Sequence, residues 1–461
     1  ATNMSTPTIQ QHALQPLDLA WVRAQFPSLK QSVNGYPAAF LDGPAGTQVP
    51  QRVIEAVRDY YEQSNANTGG AFATSRRSDA MLASAHAAMA DFLGCAADEV
   101  YFGPNMTTLT FALARAIGRD LQPGDEIVVT TLDHDANVAP WRALEEKGIV
   151  VRQADIREED CTLDMNDLRG KITQRTKLVA VGYASNAVGT INPVEEIVRI
   201  AHGAGALAFV DAVHYAPHGS IDVRTLDCDF LACSPYKFFG PHTGCIYGKR
   251  EHLLRLRPYK VRPAADTLPD RWETGTQTHE CIAGVAAAID YLADLGRRSD
   301  HARQRTGIVG SLGGRSFSSD IDTQKQGGAS APEESISRRE ALLTAYRAIR
   351  QHEMSLAARM IKGLLEIPGL RFFGISDPLR FAHRVPTVAI RLANHTPLQI
   401  ATFLGDRGIF TWDGNYYALN LTERLGVEKD GGFLRIGIVH YNSNEEIDRL
   451  LAALNELAKL R

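Results

Sequence analysis

Cysteine is scarce and unpatterned in this chain of 461 residues. The six present (Cys95, Cys161, Cys228, Cys233, Cys245 and Cys281) form no CxxC pair and no regular framework. That excludes a disulfide-stapled secreted scaffold and a structural zinc site, and a reducing, cytoplasmic setting is expected. No cysteine follows Cys281, so the C-terminal part of the chain carries no thiol. Long apolar runs are missing as well. None approaches the roughly 20 residues that span a bilayer, so no membrane partner is expected. Positive charge is not in excess: Lys and Arg total 49 against 53 Asp and Glu, a formal net charge of -4, which argues against a nucleic-acid partner. The opening stretch Ala1–Pro16 is polar and has no charged-then-apolar leader, predicting a disordered terminus and no secretory signal.

What is present is the balance of an ordinary globular chain, 44% hydrophobic and 22% charged, long enough for two or more domains. Between about Ala39 and Tyr291, short β-rich runs alternate with helical patterns. The strand candidates are EIVVT (Glu126–Thr130), VVRQADI (Val150–Ile156), KLVAVGYAS (Lys177–Ser185), LAFVDAVH (Leu207–His214), DFLACS (Asp229–Ser234) and GCIYG (Gly244–Gly248). Several are continuous apolar runs, as expected of strands covered on both faces. With helices such as Pro193–Gly203 between them, they predict an α/β fold with a mostly parallel sheet. From about Arg297 to Ser335 the chain turns rich in Gly, Ser and charge, predicting a mobile insertion with no core of its own. A helix over about Ser337–Leu365 follows, then strands in LRFFG, VPTVAIRL and FLRIGIVHY, and a last helix capped at Asn442 or Ser443 with one apolar stripe. The expected organisation is a terminus (1–16), an N-terminal arm packing on the small domain (17–38), a large domain (39–295), the insertion (296–336) and a smaller C-terminal α+β domain (337–461).

Chemistry concentrates between Asp211 and Gly244, in DAVHYAPHGSIDVRTLDCDFLACSPYKFFGPHTG. Asp211 ends one apolar strand, and Lys237 follows another in a Ser-Pro-Tyr-Lys turn. Strand ends of an open α/β sheet are where ligands sit. A carboxylate there can keep a pyridinium nitrogen protonated and a lysine can form a Schiff base, the two requirements of pyridoxal 5'-phosphate (PLP) chemistry. A lone lysine would more simply be a solvated surface charge. The pair, with the glycine-bearing FFGPHTG after it, favours the cofactor.

FLDGPAGTQVP, DHDANVAPW, YASNAVGTINP, VDAVHYAPH, SPYKFFGPHTG, ETGTQ and FLRIGIVHYNSNEEID occur in a specific order. In these motifs the chain resembles the class V aminotransferase family, and within it the group II cysteine desulfurases. The match is closest to a cysteine desulfurase-like subgroup lacking the catalytic cysteine, and it covers nearly everything from Phe40 onward except the insertion. The resemblance implies PLP-dependent transferase fold type I, a homodimer with active sites at its interface, and an amino-acid substrate. It implies that Lys237 holds the cofactor and shuttles the Cα proton, that Asp211 pairs with the pyridine nitrogen, and that His134 stacks on the ring and helps to move protons. Asn186 would contact the phenolic oxygen or the substrate carboxylate. In VYFGPNMTTLTFALARAI a helix opens at Met106–Thr108, and Met106 and Thr107 occupy the phosphate-cradle positions, where backbone N–H groups suit an anion. Ser234 would add a hydroxyl, and Thr276 would reach the phosphate from the other subunit. Arg435 matches the arginine that grips the α-carboxylate, for which a planar fork is suited. Each has a plainer alternative: His134 as a half-buried histidine satisfied by backbone, Thr107 as an ordinary helix residue, Asn186 as a loop residue, Arg435 in a structural ion pair.

The chain also departs from that family. The sulfur-accepting cysteine falls at Tyr417, the loop arginine at Trp412, the glutamine near Asp211 at His214, and the histidine before the lysine at Tyr236. His214 and Tyr236 can serve as acid/base groups or simply pack. A phenol cannot carry a persulfide. A loop of Trp412, Asn415, Tyr416 and Tyr417 instead predicts a pocket for a substrate bulkier or more apolar than free cysteine. The expected reaction begins from an external aldimine and a Cα carbanion and eliminates a group from Cβ, most simply across a carbon–sulfur bond. Epimerisation, decarboxylation or Mannich-type carbon–carbon bond formation starts from the same carbanion. Transamination and a non-catalytic binding role rank below these.

Overall fold

The computed structural model describes residues 16–311 and 336–460. Its centre is a seven-stranded sheet of β1 (Val100–Gly103), β2 (Glu126–Thr130), β3 (Val150–Ala154), β4 (Thr176–Gly182), β5 (Leu207–Asp211), β6 (Phe230–Cys233) and β7 (Gly244–Gly248). Their lateral order is β1-β7-β6-β5-β4-β2-β3. Neighbouring pairs from β6 through β3 run parallel, while β7 runs antiparallel to both β6 and β1. The continuous apolar runs now have their cause. Val128, Val179, Ala208, Val210 and Leu231 enter one core, and Ile127, Val129, Leu178, Phe209 and Phe230 enter another on the opposite face. Removing one such side chain, as in Phe209→Ala, costs about 3–5 kcal/mol.

The C-terminal unit is a four-stranded antiparallel sheet, β8 (Leu370–Phe373), β9 (Thr387–Leu392), β10 (Trp412–Gly414) and β11 (Phe433–Gly437), in the order β8-β9-β11-β10. The closing helix, Asn444–Leu457, is capped by Ser443, whose hydroxyl accepts from the Glu446 N–H while the Glu446 carboxylate accepts from the Ser443 N–H. Asn442 instead bonds the Val439 N–H and the Phe40 carbonyl, so Ser443 is the cap.

One expected boundary changes. The helix opening at His279 continues to Ser311, so the stretch from 296 to 311 is helical rather than part of an insertion. Its composition is polar, but it prolongs a helix already seated against the core, with Ile282, Val285, Ile289 and Leu292 buried. The remainder of the expected insertion, 312–335, lies outside the described residues, as does most of the expected disordered terminus, 1–15. The stretch at 39, where the large domain is expected to begin, serves both units, with Phe40 in the large-unit core. Ala39–Phe40 pairs with Ile409–Phe410, and Ala39 and Leu41 are buried in the C-terminal core. The arm before it touches both units: Val22 and Phe26 enter the large-unit core, and Arg23 reaches the Tyr441 carbonyl and Glu446. Among the described residues no helix is long and apolar enough to cross a membrane.

Candidate active site

The strands that run parallel end on one edge of the large sheet, and the predicted residues gather there around a cavity of about 470 Å³. β5 delivers Asp211, the turn after β6 delivers Ser234 and Lys237, the segment after β2 delivers His134, and the loop after β4 delivers Asn186. The short helix start at Met106 follows β1. From the second sheet come Trp412 and Arg435, which are register partners on β10 and β11. Eleven of the twelve predicted site residues line this cavity: Lys237, His134, Asp211, His214, Asn186, Met106, Thr107, Ser234, Arg435, Trp412 and Tyr417. The twelfth, Thr276, is exposed and does not line it.

Burial sets the electrostatics. Lys237 Nζ donates to the carbonyls of Pro44 and, at 3.0 Å, Ala45. Burial and the nearby Arg435 push its ammonium down to about 7, against the opposing pull of Asp211 and Asp42. Asp211 is pushed up to about 6 by burial, with Oδ1 accepting from the Val213 N–H at 2.9 Å. His134 Nδ1 accepts from the Ala136 N–H at 3.0 Å, which places the proton of its neutral form on Nε2. Burial, then Lys237 and Arg435, lower it to about 4, so it is neutral at ordinary pH. Its backbone contact matches the plainer reading, yet the ring still faces the cavity.

Arg435 has no carboxylate partner among the described residues. One guanidinium N–H donates to the Asn186 carbonyl at 2.9 Å, and the group lies 4.0 Å from the centre of the Tyr416 ring. A bonded ion pair is therefore absent; Asp42 acts on the guanidinium only through space, which leaves its N–H groups open to a carboxylate. Asn186 Oδ1 is likewise buried without a partner, while its Nδ2 donates to the Tyr416 carbonyl at 2.9 Å.

The expected loop is more ordered than its composition suggests. Tyr416 and Tyr417 both take left-handed backbone, φ +55° and +59°, a conformation costly for a side chain with a Cβ. It is held by bonds at both sides: Asn186 to the Tyr416 carbonyl, the Asp135 N–H to the Tyr417 carbonyl at 2.7 Å, and the Tyr417 N–H to Asn415 Oδ1 at 3.0 Å. The Tyr416 hydroxyl donates to the Phe433 and Trp412 carbonyls. The Tyr417 ring lies 5.4 Å from that of His134.

Sequence reasoning missed several lining groups. Asn105 caps the helix at Met106 by accepting from the Thr108 N–H at 2.8 Å; the Asn before a helix was the available signal. Asp133 holds β2's end by accepting from the Thr130 hydroxyl at 2.8 Å and is pushed up to about 7 by burial. Nothing in its sequence context separates it from an ordinary loop aspartate.

These groups suit PLP. A helix N-terminus with exposed Thr107 can receive an anion, and Gly244 keeps that start open: a Cβ there would fall 2.6 Å from the Met106 nitrogen. The unpartnered Asn186 oxygen, the carboxylate of Asp211 and the amine of Lys237 complete a donor set for a phosphorylated pyridine aldehyde. Fold and site together define a PLP-dependent enzyme of fold type I. The chain belongs to the class V aminotransferase family, whose model matches residues 39–308 and 339–450. It is similar to a cysteine desulfurase of Dickeya dadantii (strain 3937), 33% identical, covering 95% of this chain and 96% of that one. A probable cysteine desulfurase of Synechocystis is 30% identical, covering 96% of each. The solved apo cysteine desulfurase from Thermococcus onnurineus NA1 superposes with a TM-score of 0.79 at 25% identity, covering 97% of this chain and 100% of that one. The cofactor is accordingly PLP, and the protein is a PLP-dependent enzyme related to the cysteine desulfurases.

Proposed function

We propose that this enzyme removes the Cα proton of an amino acid and expels a group from Cβ, as a carbon–sulfur or related β-elimination lyase rather than a standard cysteine desulfurase. One observation carries the reading: none of the six cysteines lines the cavity, and the loop that faces it presents Tyr417. The thiols are also poor nucleophiles. Burial pushes those of Cys95 and Cys161 up to about 12, and raises those of Cys228, Cys233, Cys245 and Cys281. A loop pinned at Asn186 and Asp135 is also ill suited to carrying sulfur away.

The roles follow from chemistry at each position. Lys237 would hold the cofactor and, as an amine lowered toward neutral pH, accept and return the Cα proton. Asp211 would hold the pyridine nitrogen, Asn186 the ring oxygen side, and Ser234, Thr107 and the Met106 N–H the phosphate. His134 would lie on the ring. Arg435 would take the substrate α-carboxylate, which would supply the bonded carboxylate it lacks. Thr276 would act on a second copy's phosphate. When bound, PLP supplies an electron sink conjugated to Cα. Trp412 and Tyr417 would line the side-chain subsite and favour large or apolar leaving groups.

The test is a panel of L-cysteine and cysteine S-conjugates with products identified by mass spectrometry. The reading expects the thiol, pyruvate and ammonium from a conjugate, in equal amounts, and a changed substrate preference in Tyr417→Phe and Trp412→Ala. Alanine rather than pyruvate as the main carbon product from free cysteine, or indifference to both substitutions, would overturn it.

A further inference from the structure

Residues 274–276 are exposed, yet the chain on either side of them is tied to the large unit. On one side Trp272 is buried: its indole N–H donates to the Leu253 carbonyl at 2.9 Å, and its ring stacks on Tyr101 of β1, centroids 5.4 Å apart. Next to it, Glu273 Oε1 accepts from the Phe102 N–H at 2.8 Å and lies 2.9 Å from His86 Nε2. On the other side the buried His279, which opens the helix His279–Ser311, bonds the Tyr60 hydroxyl through Nδ1 at 3.0 Å. β1 is an edge strand, so its outward N–H groups need partners from outside the sheet, and Glu273 meets that of Phe102.

We infer that His86 and Glu273 are positioning residues that hold Thr276 in place for the cofactor phosphate of a second copy. Thr276 lies three residues beyond Glu273, so this anchor sets where its hydroxyl can reach. His86 stands on the helix Ala73–Leu93, with Nδ1 2.8 Å from the Leu82 carbonyl. Both of its ring nitrogens therefore face oxygens that can only accept, a main-chain carbonyl and a carboxylate. A ring that donates at both is the imidazolium, so the anchor is a charged pair, its two side chains each 9% exposed. Burial pulls His86 down, but the bond to Glu273 and its charge, then the Leu82 carbonyl and Asp270, carry it above the ordinary histidine value. The Phe102 ring packs edge-on against the imidazole, centroids 4.9 Å apart. Cys245 of β7 also acts on this pair, and burial, ahead of its charged neighbours, keeps it a neutral thiol.

This rests on the role proposed above for Thr276 and not on which bond the enzyme breaks. The test is titration of PLP into cofactor-free wild type, Thr276→Ala, Glu273→Gln and the double variant, from about pH 6 to 9. The ratio of the Thr276→Ala Kd to the wild-type Kd isolates the Thr276 hydroxyl, because the titration of Lys237 is common to both. It should be about two- to tenfold at the acid end, the worth of one hydrogen bond. It should then fall as pH rises through the His86 value, since a neutral imidazole donates to only one of its two acceptors. Glu273→Gln removes the two strongest pulls that oppose burial, its bond to His86 and its charge. In that background the ratio should stay near one throughout. If Glu273→Gln does not fold, His86→Gln, which cannot titrate, should make the ratio independent of pH. A wild-type ratio that does not fall with pH, or one that is the same in the variant, overturns the inference and leaves Thr276 in the site. A loss of thermal stability with that ratio unchanged does the same, since it assigns the pair to packing. A ratio of one in the wild type at every pH instead removes Thr276 from the site, and the inference with it.

Discussion

At the scale of single residues the site is a set of charges held where charge is expensive. Asp211 has its pKa raised above the usual carboxylate value, to about 6, because burial outweighs the opposing pull of the Val213 N–H and Lys237. A raised acid stabilises the fold below its unfolded pKa and loses that contribution as pH rises through the folded value. In cofactor-free protein, Asp211→Asn should therefore gain in melting temperature relative to wild type as pH rises from about 4 to 7, while losing PLP affinity at every pH. A difference in melting temperature that does not change with pH would contradict this. The substitution separates the two demands on Asp211: in its proposed role the cofactor needs an ionised carboxylate, which the bare fold disfavours.

At the scale of elements, precision comes from close approach. The first residue of β7 is Gly244 because β7 runs against β1 where the chain breaks into the helix at Met106; a methyl group there would come within 2.3 Å of the Asn105 backbone. Gly244→Ala should push the helix start out of line, lowering PLP affinity at least tenfold by titration while far-ultraviolet circular dichroism stays near wild type. Unchanged affinity would mean that the helix start does not carry the phosphate. The strands β2, β4, β5 and β6 were legible in the sequence because each is buried on both faces, although the runs expected for β4 and β5 reach Ser185 and His214, three residues past the ends at Gly182 and Asp211. Lys237 and Asp211 could be found for the same reason. β10 was not legible: it is three residues, Trp-Asp-Gly, made a strand only by pairing with β11 far along the chain. Nor was the pinning of Tyr416 and Tyr417, which depends on Asn186 and Asp135 from the other unit. The helix beyond Arg297 was misread because its polar composition says nothing of the packed helix it extends.

At the scale of the whole molecule, two cores meet over one cavity, with Arg435, Trp412 and Tyr417, proposed for the substrate, supplied by the smaller unit and the groups proposed for the cofactor supplied by the larger. Thr276 stands outside this arrangement, exposed on the surface. The proposed homodimer gives it a function, and sedimentation should then show twice the 50.4 kDa chain mass, with Thr276→Ala weakening PLP binding. A monomer with full cofactor affinity would remove Thr276 from the site. The distinction that matters most is whether sulfur is ever carried on the polypeptide. The direct measurement is the intact mass of the PLP-loaded protein after exposure to excess L-cysteine, under conditions that turn over a cysteine S-conjugate. The account predicts an unchanged polypeptide mass; a gain of one sulfur atom that a reductant removes would contradict it.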